Sequence, residues 1–237
     1  MITLVGVGHV FNIAEQVREV ILGEMPGAVC VELDPGRYNA LRNPGSPRGI
    51  PATYRLLSLF QKRMAKDFGG ELGSEMLAAI DAAKSVGIAT LLIDADASQL
   101  FDRLWKEMPL KERVLLFLSA LTGLFTSKKK VRREMDKFSQ DEQAYLDQFG
   151  DEFPTLKKVL IDDRNHLMAG RIAEAEARYL NVVAVIGDGH VEGISTILAP
   201  RPLNVVRLKQ LLSGDLPRKS AEVKQGNTEV TFQYTYR

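Results

Sequence analysis

The sequence VGVGHV, Val5 to Val10, returns near the other end of the chain as IGDGHV, Ile186 to Val191. Each copy stands behind a run of β-formers, ITLV in the first case and NVVAV in the second. Such runs, apolar at every position rather than at alternate ones, read as strands buried on both faces, the pattern of a parallel sheet. Two of the chain's three histidines occupy these corners. A strand-to-corner unit used twice constrains the fold more than any other feature. It calls for an α/β protein with a central, mainly parallel sheet flanked by helices, with both corners at strand C-termini.

The rest of the chain fits that frame. After the first corner a helix is expected with Ile13, Val17, Val20 and Ile21 on its apolar face, ending at Met25-Pro26-Gly27. AVCVELD is a second buried strand, and Asp34-Pro35 opens a helix carrying Arg37 and Tyr38. A Pro- and Gly-rich loop, Arg42 to Pro51, precedes two helical segments, TYRLLSLFQKRMAKDF and GSEMLAAIDAAKSVG, the second with Ser74 as expected N-cap. ATLLID is the third strand, and Asp96 to Glu107 is helical. The stretch from Leu110 to Gly150 departs from the βαβ rhythm and reads as helix. We place a helical insertion or lid at about 108–160, inside an α/β domain spanning 1–210. Phe153 to Tyr179 reads as helix, broken or kinked near Asp162-Asp163. NVVAVIG is the fourth strand, a short helix starts at Val191, and PLNVVRL is the fifth strand. Residues 211–237 form a polar tail whose EVTFQYTYR alternates like an edge strand or an arm onto a partner.

With 237 residues the chain is long for one domain and short for two, which favours one domain with an insertion. The formal net charge of +1 creates no field that would recruit nucleic acid. Cys30 is the single cysteine, so no intramolecular disulfide forms and nothing demands an oxidising compartment. The start, MITLVGVGHV, lacks the basic segment of a secretory signal. The longest apolar run, Val114 to Phe125, falls short of the roughly 20 residues of a spanning helix. A cytoplasmic protein is expected, membrane-associated if the natural chain continues into transmembrane helices. The run SKKKVRR beside the apolar stretch is either a solvated face or, across 114–133, a peripheral membrane contact. The apolar insertion and the terminal strand are compatible with a homodimer.

The chemistry gathers at the strand ends. Gly6, Gly8, Gly187 and Gly189 permit tight turns and a close approach of backbone to a ligand. If strands one and four are neighbours, His9 and His190 face one crevice. Glu32 closes the second strand and Asp94 the third. Imidazoles with carboxylates suit a divalent cation such as Zn, Mn, Fe or Co, and an open coordination position would let that ion activate water. A dinucleotide reading fails on two counts. The third glycine of GxGxxG is missing, and such a site does not explain the second corner. In DDRNHLMAGRI, Arg164 could hold a carboxylate or a developing oxyanion, or pair with Asp162 or Asp163. Asn165 could orient a ligand or cap a helix, and His166 reads as a surface residue. Arg37 is a further candidate for the crevice. Glu75 is either a first-turn acid favoured by the helix dipole or a carboxylate supporting the site.

In order along the chain, VGVGHV, CVELDPGRYNAL, GSEMLAAIDAA, LLID, IDDRNHLMAGRI and AVIGDGHVEGI resemble the TraB/PrgY family, itself related to the Tiki and GumN group. The resemblance runs from about Ile2 to Leu208. It implies an active site built from two Gly-x-x-His motifs and an acid, here Gly6 and His9, Gly187 and His190, and Glu32, with Arg164 and Glu75 at further motif positions. It also implies a Mn- or Co-dependent protease chemistry in Tiki-type members, and a link to the shutdown of peptide pheromones in TraB/PrgY members. One departure is Asp94-Ala95-Asp96, where relatives often carry Asp-Arg-Asp.

The residues therefore point to a metal-dependent hydrolase acting on peptides. His9 and His190 would bind the ion, Glu32 would be third ligand or general base, and Arg164 would steady the oxyanion or hold a peptide carboxylate. Two alternatives stand beside it: a non-catalytic protein that sequesters a peptide, and a metal-dependent hydrolase of a non-peptide substrate.

Overall fold

A computed structural model describes residues 1–8, 11–43, 73–124, 148–214, 216, 219–225 and 228–234. The helix expected for TYRLLSLFQKRMAKDF and the basic run SKKKVRR lie outside these residues, as does His9. The chain divides into two compact units, one formed by Met1–Asp94 with Met168–Arg237 and one by Ala95–Leu167.

In the first unit the five apolar runs form one parallel sheet: β1 (Ile2–Val7), β2 (Ala28–Val31), β3 (Ala89–Leu92), β4 (Val182–Gly187) and β5 (Leu203–Val206), in the spatial order β3-β2-β4-β1-β5. Every residue of β1, β2 and β4 is buried, which is why these strands are apolar at successive positions. Alternate side chains serve opposite faces. Val5, Val7, Val29, Val31, Val183 and Val185 join Val17, Val20 and Ile21 of α1 (Ala14–Glu24) and Met76, Ala79 and Ile80 of the helix Ser74–Ser85. Ile2, Leu4, Ala28, Cys30, Val182, Ala184 and Ile186 join Met168, Ile172 and Ala175, with Val191, Ile194 and Leu198 of the helix that follows β4. Burying a side chain such as Ile172 completely is worth about 1.5–3 kcal/mol.

Asp34 caps α2 (Pro35–Arg42), its Oδ1 accepting from the amides of Gly36 at 2.8 Å and Arg37 at 3.1 Å, with Pro35 pre-set in the first turn. The next helix, α3 (Ser74–Ser85), is capped differently from expectation. Gly73 is the N-cap, with φ of 75°, and Ser74 is the first helical residue; the left-handed backbone there suits glycine and not serine. The helix after β4 is also longer than its sequence suggested. It starts at Asp188 rather than Val191, because β4 passes directly from Gly187 into helix without a loop. The tail, read from its alternation as an edge strand or an arm, holds two strands, β6 (Lys219–Gln225) and β7 (Thr228–Tyr234), which pair antiparallel with each other as a separate two-stranded sheet.

The described part of Ala95–Leu167 is helical. Asp96 caps α4 (Ala97–Glu107) by accepting from Gln99 N at 3.0 Å. It is followed by α5 (Leu110–Leu124), α6 (Pro154–Lys157), a π-turn at Lys158–Asp162 and the first residues of α7 (Asp163–Tyr179). The expected break near Asp162 is this widened turn, and the chain stays helical through it. Leu104, Met108, Phe153, Leu156 and Val159 form the local core. Buried Glu112 ties α5 to the start of α6 by accepting from Thr155 N at 2.9 Å. Leu110, Val114, Phe117 and Leu118 leave an exposed apolar stripe on α5. Among the described residues no helix is long and apolar enough to cross a membrane.

Candidate functional site

β1 and β4 are immediate neighbours, so the two glycine corners leave the sheet side by side. Gly6 pairs with Ile186 and Val7 with Gly187, which offsets the two motifs by one residue. The chain then departs in opposite directions. The helix after β1 packs on one face of the sheet, and α8 (Asp188–Leu198), after β4, packs on the other. Adjacent parallel strands whose connections part in this way open a crevice at their C-terminal ends, the usual ligand position in open α/β sheets.

β2 borders β4 on its other side, and Glu32, the first residue beyond β2, turns into this region. Its carboxylate is buried and grips the second corner. Oε2 accepts from Gly187 N at 2.5 Å, and Oε1 stands 3.5 Å from His190 Nε2. A Cβ on residue 187 would come within 3.3 Å of Glu32 Oε2, so glycine leaves room for the carboxylate. His190 is buried in the first turn of α8, with Gly189 just before it.

A second acidic pair sits at the ends of β2 and β3. Asp34 and Asp94 are both buried, and Arg37 bridges them, its Nε donating to Asp34 Oδ2 at 2.6 Å and its Nη2 to Asp94 Oδ2. Burial disfavours the guanidinium, but the charge of Asp94 and the hydrogen bonds from both carboxylates outweigh it and raise its pKa above the ordinary arginine value. Arg171 Nη1 donates to the backbone oxygen of Asp94 at 2.7 Å. Glu75, in the first turn of α3, is fully buried.

Arg164 and Asn165 belong to the Ala95–Leu167 unit, where Arg164 Nη1 donates to Leu160 O at 2.9 Å within the π-turn and Asn165 is buried. The neighbouring acids are bonded to lysine and arginine: Asp162 to Lys157, and Asp163 to Lys158 and Arg103. His166 is exposed.

Two residues were not anticipated. Asp188 Oδ1 accepts from Arg207 Nε at 3.0 Å and from Leu208 N at 2.9 Å, while Oδ2 accepts from Arg207 Nη2 at 2.8 Å. The only hint in the sequence is the acid inside GDGH and an arginine just past the last strand of the sheet.

Among the described residues no group of three or more His, Cys, Asp or Glu side chains could hold a metal ion. Glu32 and His190 supply two donors. Donors about 2.1 Å from a tetrahedral ion are about 3.4 Å apart. The 3.5 Å between Glu32 Oε1 and His190 Nε2 fits that spacing.

An uncharacterized protein of the archaeon Methanocaldococcus jannaschii, MJ1365, is 30% identical to this chain over 206 residues, a match that takes in 81% of this chain and 52% of that protein. The chain thus spans about half the length of this curated relative. A solved structure of ChaN from Campylobacter jejuni, described for its cofacial heme binding, aligns with a TM-score of 0.37 at 14% identity, over 87% of this chain and 80% of that one. Residues 1–200 match the TraB/PrgY/gumN family, and the chain, with its paired glycine corners at the ends of β1 and β4, belongs to it.

Proposed function

We propose that this protein is a metal-dependent hydrolase, with peptides as its substrate class and the crevice between β1 and β4 as its active site. The observation that carries the reading is the contact of Glu32 with the second corner, one carboxylate oxygen on Gly187 N and the other facing His190 Nε2. His190 and Glu32 would hold the ion, with His9 from the first corner as the remaining imidazole. A divalent cation bound there would supply Lewis acidity. Mn and Co are the favoured ions by family resemblance, with Zn and Fe as alternatives.

The chain's own groups define the rest. Gly187 N engages one oxygen of Glu32 and so orients the other toward the crevice. Held in this way, Glu32 is suited to one of two roles: third ligand of the ion or, with the ion on the two imidazoles, the base that takes a proton from water and passes it to a leaving amine. Arg37, fixed between Asp34 and Asp94, keeps two buried carboxylates compensated at the neighbouring strand ends.

The test pairs metal content with turnover. Elemental mass spectrometry on protein purified without chelator should find a divalent metal near one equivalent, lost in His9→Ala/His190→Ala. Peptide cleavage should require that metal and vanish in Glu32→Gln. Metal binding without any cleavage would instead favour peptide sequestration or a non-peptide substrate. No metal binding after adding back Mn or Co would refute the reading.

A further inference from the structure

β1 lies between β4 and β5, yet the residues just beyond β4 and β5 meet. Asp188, the first residue of α8, reaches past the end of β1 to Arg207 and Leu208, at the start of α9 (Leu208–Ser213). The path is open because residue 6 has no side chain. A Cβ there would overlap Asp188 Oδ1 and press on Val191 Cγ2 at 3.0 Å. Gly6 is inside a strand and is required by this close approach. Gly8 repeats the pattern one step on, since a Cβ there would meet Phe11 at 2.8 Å and Leu208 at 2.9 Å.

Both oxygens of Asp188 are engaged, by a two-point guanidinium contact and a backbone amide. That arrangement fixes orientation as well as distance, which a single-point ammonium contact does not. The carboxylate is 14% exposed, so solvent only partly screens the pair. It also sits in the first turn of α8, where negative charge is favoured. His190 is two residues further along that same turn.

We propose that Asp188 is a positioning residue for His190: clamped by Arg207 and Leu208 N across Gly6, it fixes the first turn of α8 and so sets the imidazole against Glu32. The clamp joins the ends of three strands, β4, β1 and β5, and Glu32 adds β2 from the opposite side. The second corner is held from both flanks, on one by Asp188 and on the other by the Gly187 amide. For metal binding, the inference rests on the function proposed above; for the placement of the imidazole, it does not.

The experiment uses long-range proton–nitrogen spectra of the histidine rings in the chelator-treated chain of 237 residues at one fixed pH. Three histidines contribute, and His190 is identified by its loss in His190→Gln. Asp188→Asn, Arg207→Met and Gly6→Ala should each displace the His190 ring signals while leaving those of His166 in place. Arg207→Lys should displace them less, and the Asp188→Asn/Arg207→Met pair no further than either single change. In parallel, calorimetric titration with Mn and with Co should show at least tenfold weaker binding in Asp188→Asn than in the wild type. Unmoved His190 signals in folded Arg207→Lys and Arg207→Met would overturn the inference, even should Asp188→Asn fail to fold. A wild type that binds neither ion would remove the metal reading, while the ring signals would still decide the clamp.

Discussion

Glu32 Oε2 accepts from the amide of Gly187 at 2.5 Å, across the boundary between two neighbouring strands and 155 residues of sequence. One buried carboxylate thereby fastens the end of β2 to the turn that launches α8. The contact separates stability from chemistry in a testable way. Glu32→Ala removes the acceptor and leaves a buried amide unpaired, at a cost of about 2 kcal/mol in urea unfolding. Glu32→Gln keeps an acceptor of the same shape and should cost less than about 1 kcal/mol. Peptide hydrolysis should be lost in both. Activity surviving in Glu32→Gln would remove Glu32 from the role of base.

Arg37 should matter for stability out of proportion to its exposure. Asp34 and Asp94 are 2% and 1% exposed at their side chains, and the guanidinium compensates both. Arg37→Met would remove the one guanidinium that bridges these two buried carboxylates and should destabilise the protein by about 3–5 kcal/mol. Arg37→Lys cannot reproduce the forked contact and should fall between. Denaturant titrations of both variants check the order, and a loss below about 1 kcal/mol for Arg37→Met would contradict the bridge.

Cys30 is fully buried in β2, and burial pushes its thiol from an ordinary 9.0 to about 12. A thiol that keeps its proton is a poor nucleophile. The native protein should therefore resist a thiol reagent at pH 8, and the denatured chain should take up one equivalent. The linkage has a definite sign. Between about pH 9 and 12 the unfolded thiol loses its proton while the folded one retains it. The folded state then binds more protons, so stability falls as pH rises through that interval, by at most about 1.4 kcal/mol per unit. Cys30→Ala should flatten that part of the stability curve.

Two glycine substitutions should have opposite signs. Gly170 lies within α7, where a Cβ would meet nothing within 4 Å. Gly170→Ala should stabilise the protein by about 0.5–1 kcal/mol through helix propensity. Gly27 precedes β2, and a Cβ there would stand 2.5 Å from the backbone oxygen of Tyr179. Backbone cannot swing aside, so Gly27→Ala should destabilise by about 1–3 kcal/mol. Thermal melts of the two variants should move in opposite directions.

The parts of the fold that depend on local pattern could be read from the residues alone. Continuous apolar runs gave the five strands, and Asp34 and Asp96 declared themselves as caps. The repeated corner raised the condition that β1 and β4 be neighbours, and the sheet meets it. What escaped was set by long-range geometry. Helix α8 begins at Asp188, inside a glycine-rich stretch of poor helix propensity, because Asp188 is held from outside by Arg207. That ion pair depends on β5 lying next to β1, a neighbour relation that sequence order does not encode. The polar alternation of the tail was visible, but its partner strand, Lys219–Gln225, carries too little apolar pattern to stand out.

The place of β1 has a consequence for synthesis of the chain. Its register partners are Val182–Gly187 on one side and Leu203–Val206 on the other. β1 is thus synthesised well before either of the strands it pairs with. At about 5–20 residues per second, its apolar backbone waits roughly ten to forty seconds for β4 to appear. β2 and β3 can join earlier, with a shorter stretch of chain between them. An apolar segment waiting that long is a natural client for a holding chaperone, and a fold of this topology forms the crevice between β1 and β4 only once β4 has been translated.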